Sequence, residues 1–417
     1  MTSAFDPRID ARRAAWFGGV LTFVAALAPL LGWLAPLGFA PLAALGGLLA
    51  LGALKAEARH LPAMAPALAM IAWAVVSIFW TPHRPERFEE WIAVKMLAEA
   101  ILVWALIRAA AEADPAGRRR ALFVLAWGMA GLGAVLFVEA ASGAVVYQAL
   151  RRLIGDPTRP DLAAKNVAQG TFVLALFCAP AALAALRVGA PKVLGLVMMG
   201  GLLAASVVFG YDAPLLAIVL AAAAGGMVMA WPRIAPRILA AGAAMFFLGA
   251  PSVVVAAQAS GLYQKLEAAA PLSWSQRMGY WSHAVRWIGD HPLRGWGIDA
   301  SRMFAPGIKL HPHDAALQIW LELGLVGAVC AAAFWAAVFL RMSRRAPDLG
   351  VAAGAASAVA YLVFAAVSFG VWQEWWVCLG GVVAAFAFAV ERQPPASAVR
   401  RSAASVTQPS TPAPISG

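Results

Sequence analysis

The chain has 417 residues, is 62% hydrophobic and only 13% charged, and carries a formal net charge of +11. Soluble domains run nearer to about half apolar and a quarter charged, so this composition excludes a soluble enzyme and indicates an integral membrane protein. Lys and Arg gather in short clusters between apolar runs, which accounts for much of the positive charge without a nucleic-acid partner.

Apolar runs long enough to cross a bilayer, roughly 17–25 residues, are expected in chain order at about 15–33, 37–54, 62–80, 92–109, 121–141, 165–186, 194–210, 214–231, 238–257, 314–340, 350–370 and 375–390. These twelve spans predict an all-α polytopic membrane protein, with residues 1–391 as one transmembrane domain. The first run lacks a small-x-small cleavage site and is soon followed by another, so it reads as a span, not as a cleaved signal. Basic clusters such as Lys55/Arg59, Arg118/Arg119/Arg120 and Arg341/Arg344/Arg345 fall on one side of these spans. That side is the cytoplasmic one, and both termini are expected there. Cys178, Cys330 and Cys378 lie inside predicted spans and read as buried apolar residues. Residues 392–417, rich in Pro, Ser, Thr and Ala, are expected to form a disordered cytoplasmic tail.

In the fourth span, Lys95 and Glu99 stand one helical turn apart and predict an intramembrane ion pair. Two loops on the opposite side exceed what a turn requires. The first, about 142–164, is followed by Lys165 and Asn166 and contains Arg151, Arg152 and Arg159. The second, about 258–313, carries Lys265, Arg277, Arg286, Arg294, Arg302 and Lys309 against Glu267, Asp290 and Asp299. Positive charge on the side where it is normally scarce points to an anionic ligand, or to lipid headgroups. Ser273-Trp-Ser-Gln276 has the form of a capping box, and the apolar spacing of Trp281, Ala284, Val285 and Ile288 predicts an interfacial helix ending at Gly289. Trp274, Trp281, Trp287 and Trp296 would anchor it at headgroup depth. Arg277 falls in its first turn, where free N–H groups favour an anion.

The loop ends in His311-Pro-His313-Asp314, at the entrance to the tenth span. Ionisable groups beside hydrocarbon are costly, and only six histidines occur in the chain, so this cluster asks for a chemical purpose. A zinc site is a poor fit, since two histidines and one acid have no clear further ligand. Gly324 and Gly327, one turn apart, are expected to let helices pack closely. Glu322 reads as a contact inside the bundle.

Taken together, Arg277, the element Gly289-Asp290-His291-Pro292-Leu293-Arg294-Gly295-Trp296-Gly297, His313-Asp314 and then Gly324-x-x-Gly327 resemble the O-antigen ligase and O-antigen polymerase superfamily. Lys165-Asn166 opening a span after the first outer loop supports this. The resemblance is strongest over 270–330. It implies a metal- and cofactor-independent glycosyltransferase of the bacterial inner membrane, with its active site facing the periplasm. A glycan on undecaprenyl pyrophosphate would pass, with inversion, to a sugar hydroxyl of lipid A core. His313 would be the general base and Arg277 the clamp on the pyrophosphate. Arg159, Lys165, Asn166, Asp314, His311 and Arg294 would contribute to substrate binding, Arg294 being equally well explained as surface charge. Two departures stand out. Asp212 occupies the place where the family pattern has an arginine, so Arg151, Arg152 or Arg159 would have to substitute. Asp314 follows the histidine where Asn, Ser or Gln is usual, and a carboxylate there would raise the basicity of His313. The alternatives are a polysaccharide polymerase, a protein O-oligosaccharyltransferase and, in another class, a transporter or flippase for an anionic lipid-linked substrate. A transporter would favour charged groups at mid-membrane on broken helices, whereas here charge gathers at one lip.

Overall fold

The computed structural model describes residues 7–54, 61–87 and 91–395. Among these residues the chain is all-α and has no strand. Its helices are α1 (Pro7–Leu34), α2 (Phe39–Leu49), α3 (Leu61–Ser77), α4 (Ile92–Glu112), α5 (Pro115–Ser142), α6 (Val145–Leu153), α7 (Pro160–Val188) and α8 (Val193–Val208). They continue with α9 (Asp212–Ala230), α10 (Ala235–Ala259), α11 (Leu262–Ala269), α12 (Leu272–Asp290), α13 (Ala315–Met342), α14 (Leu349–Val367) and α15 (Glu374–Arg392). Each expected span falls on one of these helices, and α6, α11 and α12 lie in the two long loops.

Among the described residues, eight helices are long and apolar enough to cross a membrane: α1, α5, α7, α9, α10, α13, α14 and α15. Helices α2, α3 and α8 are apolar but shorter, and α4 carries Lys95, Glu99, Arg108 and Glu112 within its 21 residues. The chain is therefore a multi-pass membrane protein. Lys55 and Arg59, and residues 396–417 of the expected tail, lie outside the described residues.

Helix α7 is the centre of the bundle: 83% of its most apolar stretch is buried, against 22% in α10, which faces outward. Around α7 pack α5, α14 and α15, while α1 and α8 pack against α5. The α5–α8 crossing depends on small residues, because a Cβ on Gly201 would stand 1.9 Å from the Gly133 carbonyl oxygen. A second group pairs α13 with α10 and α3, and α12 lies against α13.

Helix α13 is broken. Gly324 has φ 64° and ψ −160°, a conformation open only to glycine, so the helical ladder is interrupted inside the bundle. Backbone groups freed at membrane depth must find other partners. The turn 292–297 supplies most of them. The N–H groups of Trp296 and Gly297 donate to the Leu321 and Glu322 carbonyls at 2.9 and 2.8 Å. Leu325 N–H donates to Pro292 O at 2.9 Å, Val326 N–H to Leu293 O at 3.4 Å, and Trp73 Nε1 to Leu323 O at 2.9 Å. A Cβ on residue 324 would sit 2.4 Å from Leu293 O. The expected helix–helix role of Gly324 is therefore corrected: it admits a loop, not a helix.

Two further expectations change. Helix α12 begins one residue earlier than the Ser273 box, with Pro271 at the cap position and no side-chain cap, so the box is not used. Lys95 pairs with Glu374 of α15 at 2.6 Å, tying α4 to α15 across the bundle; the predicted Lys95–Glu99 pair is replaced.

Gly324→Ala should destabilise the protein by roughly 1–3 kcal/mol from backbone strain alone, and by more through the collision with Leu293. Thermal unfolding of the purified protein in detergent checks this; a melting temperature equal to wild type would show that the break is not required.

Candidate active site

His313 is held at the mouth of α13 by backbone geometry that few side chains adopt. Its φ is 56°, directly before Asp314, the N-cap of the helix. The turn is locked by its own N–H, which donates to His311 Nδ1 at 3.2 Å. The ring Nδ1 lies 2.7 Å from the Ser368 carbonyl oxygen. A carbonyl can only accept, so Nδ1 carries the proton and Nε2 presents a lone pair. Nε2 has no hydrogen-bond partner among the described residues. Tyr280 of α12 stacks on this ring at 6.1 Å and His311 lies against it at 4.2 Å. Burial lowers the proton affinity of His313 first, the Ser368 bond opposes this, and the positive charge of Arg277 lowers it again. The ring is thus neutral and basic at one nitrogen, which is what a general base needs.

His311 is buried and drops to about 3, by desolvation first and then by repulsion from His313 and Arg302. Its Nδ1 accepts from the His313 amide, so its proton resides on Nε2, which faces the Gln373 carboxamide at 3.3 Å. Gln373 Oε1 is otherwise buried without a partner, and an amide flip lets it accept that proton. His311 is a neutral strut beneath His313.

Asp314 is engaged elsewhere than the sequence implied. Its carboxyl accepts from Leu317 N–H at 2.8 Å as the helix cap, and burial pushes it up to about 7 against the pull of the Leu317 and Ala316 amides. The partner that sets the His313 ring is the Ser368 carbonyl, so the expected tuning by Asp314 is corrected.

Arg277 is half-buried on α12, with its guanidinium 5.2 Å over the Trp274 ring. Desolvation lowers its pKa, and attraction to Asp212 at the start of α9 opposes that shift. A guanidinium remains charged under either influence. The anomalous acid therefore acts toward Arg277, leaving one cation with a weak counter-charge near His313. Trp281 donates its indole N–H to Pro312 O at 3.0 Å, and Trp296 to Trp287 O at 2.8 Å. The first bond fastens α12 to the segment that carries His313, and the second fastens α12 to the turn 292–297.

Asn166 joins His313 and His311 around a cavity of about 470 Å³, with its Nδ2 donating to the Tyr147 hydroxyl at 3.3 Å. Lys165, the residue before it in α7, is exposed. Arg159 and Asp161 form a solvent-exposed pair at 2.8 Å. Arg294 is exposed and lies 5.6 Å over the Trp80 ring, away from the cavity lining.

Sequence reasoning did not find Gln169, Ser368, Phe369, Gln373 or Trp375, which line the same cavity. Nor did it find the hub that fixes the 368–373 segment. Fully buried Glu322 accepts from Asp299 N–H at 2.6 Å, from Gln318 Nε2 at 3.0 Å, and from the Ser301 hydroxyl and Trp372 indole. Gln318 Oε1 in turn accepts from Val371 N–H at 3.0 Å. Glu322 and Gln318 lie one turn apart on α13, a spacing visible in the sequence, but their partners are not.

Residues 210–332 match the family described as O-antigen ligase. That segment contains Asp212, Arg277, the inserted turn, His313 and Gly324. Among curated proteins, the chain is 25% identical over 144 residues to one of Rickettsia conorii named "Putative polysaccharide ligase", covering 31% of this chain and 35% of that protein. Proteins of that name from Rickettsia prowazekii and Rickettsia felis are 25% and 24% identical, each covering 26% of this chain and 30% of the relative. The chain thus spans about a third of the length of these relatives. The similarity to the O-antigen ligase family thus lies over the segment 210–332, which holds the arginine, the inserted turn and the histidine.

Proposed function

We propose that the protein is a metal-independent, inverting O-antigen ligase of the bacterial inner membrane, with its site open to the periplasm and both termini in the cytoplasm. The donor is a glycan on undecaprenyl pyrophosphate and the acceptor a sugar hydroxyl of lipid A core. The observation that carries this reading is the neutral His313, its Nε2 unpartnered among the described residues at the cavity wall, with Arg277 close enough to influence its protonation.

In this mechanism the acceptor hydroxyl gives its proton to His313 Nε2 as its oxygen attacks the anomeric carbon. The bond from that carbon to the pyrophosphate oxygen breaks, and its electron pair leaves with undecaprenyl pyrophosphate. Attack opposite the leaving group inverts the anomeric centre. Arg277 offers a planar pair of donors to the departing phosphate, and its partial desolvation strengthens that attraction. The imidazolium then releases its proton to water, restoring the base. Lys165 in the second turn of α7 and Arg159 at its N-cap would attract an anionic donor.

Purified protein with lipid-linked glycan, lipid A core and a divalent-metal chelator should transfer glycan, and His313→Ala should lose about 10²–10⁴-fold in rate. Transfer at the wild-type rate by that variant would reject the base assignment, and transfer only onto a second lipid-linked glycan would identify a polymerase. Arg277→Lys keeps the charge but loses the bidentate fork, and should lower kcat by roughly tenfold or more with little change in acceptor KM. An unchanged kcat would remove Arg277 from the leaving-group role. Because burial depresses His313 below its ordinary 6.5, the base stays unprotonated at neutral pH, and activity should fall only as pH drops below that value. A kcat/KM profile whose acid limb lies above 6.5 would contradict this environment.

A further inference from the structure

We infer that the cavity beside His313 is the acceptor-sugar subsite, and that it is built for an uncharged hexose or N-acetylhexosamine. This inference rests on the transferase reading and specifies which substrate part enters the cavity. The volume, about 470 Å³, lies within the size range of small-molecule sites. Among the described residues its lining includes no Lys, Arg, Asp or Glu. Leu34, Pro36 and Leu37 form one side, and Phe369 and Trp375 present aromatic surface on another. A phosphate or carboxylate entering would lose its water without meeting an opposite charge, which is strongly unfavourable.

A neutral sugar meets the reverse situation. Its hydroxyls need both donors and acceptors, and a carboxamide supplies both. The wall carries three: Asn166, Gln169 and Gln373. Asn166 spends its Nδ2 on Tyr147 and keeps Oδ1 for a ligand. Gln373 turns one end of its amide toward His311, and the other end is buried, so its part in the wall is to hold His311. The side chain of Gln169 makes no hydrogen bond among the described residues. Apolar faces of a sugar ring fit the aromatic wall, while its edge reaches the amides.

Charge is thus divided around His313. Arg277, Lys165, Arg151, Arg152 and Arg159 are all absent from the cavity lining, so the pyrophosphate has its cations outside it. A hydroxyl in the uncharged cavity is next to the base, and the leaving group remains on the basic side. Base and arginine lie within residues 210–332, whereas the carboxamides and the aromatic wall come from α7, the 368–373 segment and the start of α15. The wall that would choose the acceptor is therefore built from parts of the chain outside the segment matched to the family.

The test uses the full-length protein in detergent, with donor and lipid A core acceptor varied separately. Gln169→Leu should raise the acceptor KM about tenfold, equivalent to one lost hydrogen bond of about 1.4 kcal/mol, and leave the donor KM within about twofold. Gln169→Glu should raise the acceptor KM further by introducing charge. A rise in donor KM instead, or no change in either, overturns the assignment. Asn166→Leu is the second variant, read in the same way if a Gln169 substitution fails to fold by size-exclusion profile. If wild type transfers nothing, the ligase reading fails, and the subsite is judged by saturation-transfer NMR with maltotriose and with inorganic pyrophosphate. Saturation of maltotriose that Gln169→Leu abolishes, with pyrophosphate contact unaltered, upholds an uncharged-sugar subsite. Absence of maltotriose saturation in wild type overturns it.

Discussion

A break in a membrane helix leaves backbone donors and acceptors that hydrocarbon cannot satisfy, and the organisation of this site follows from how α13 meets that constraint. Three carbonyls and two N–H groups around Gly324 find partners in Trp73 and in the turn 292–297. The turn is held as firmly from its other side, by Trp80 Nε1 donating to Gly295 O at 3.2 Å and Thr81 Oγ1 donating to Ile298 O at 2.8 Å. The long loop between α10 and α13 is thereby pinned into the bundle instead of floating above it. Helix α12 leads directly into this turn, so the position of Arg277 inherits the rigidity of the repair.

The second consequence is electrostatic. Glu322, on the last intact turn before the break, gathers Asp299, Ser301, Gln318 and Trp372 around one carboxyl. Through Gln318 it reaches the segment whose Ser368 carbonyl fixes the His313 tautomer. Burial alone would leave two neighbouring histidines with undefined proton positions. Here each ring has one nitrogen assigned by a partner of fixed polarity, the Ser368 carbonyl for His313 and the His313 amide for His311. A base with a defined free nitrogen results from backbone hydrogen bonds, with no carboxylate needed beside it.

Part of this was legible in the amino-acid order. Twelve apolar runs marked helices of the bundle, and among the described residues eight of them fall on helices long and apolar enough to cross a membrane. The cluster at 311–314 stood out because charge beside lipid is costly, and Arg277 because it opened an amphipathic helix in a basic loop. Local reasoning misled where long-range partners decided the outcome. Lys95 chose Glu374 over Glu99, one turn away on its own helix, because α15 packs against α4. Asp314 took the free amides at its helix N-terminus, which compete with the His313 ring for the same oxygens.

By itself the sequence determined the class, most of the long helices, and which ionisable residues stand at the entrance to α13, since these depend on composition, length and spacing along one chain. The tertiary structure decided what those residues do to one another. Gly324 reads in sequence as a small packing residue, and its left-handed backbone emerges only when the turn 292–297 docks against it. Asn166 was marked in the sequence by its place beside Lys165 at the opening of a span, but Gln169, Ser368 and Gln373 carry no signal along the chain, being ordinary polar residues. They become the wall of one cavity because α7 runs through the middle of the bundle with α14 and α15 packed against it. Which groups share a space is a property of packing between distant segments, and no local pattern encodes it.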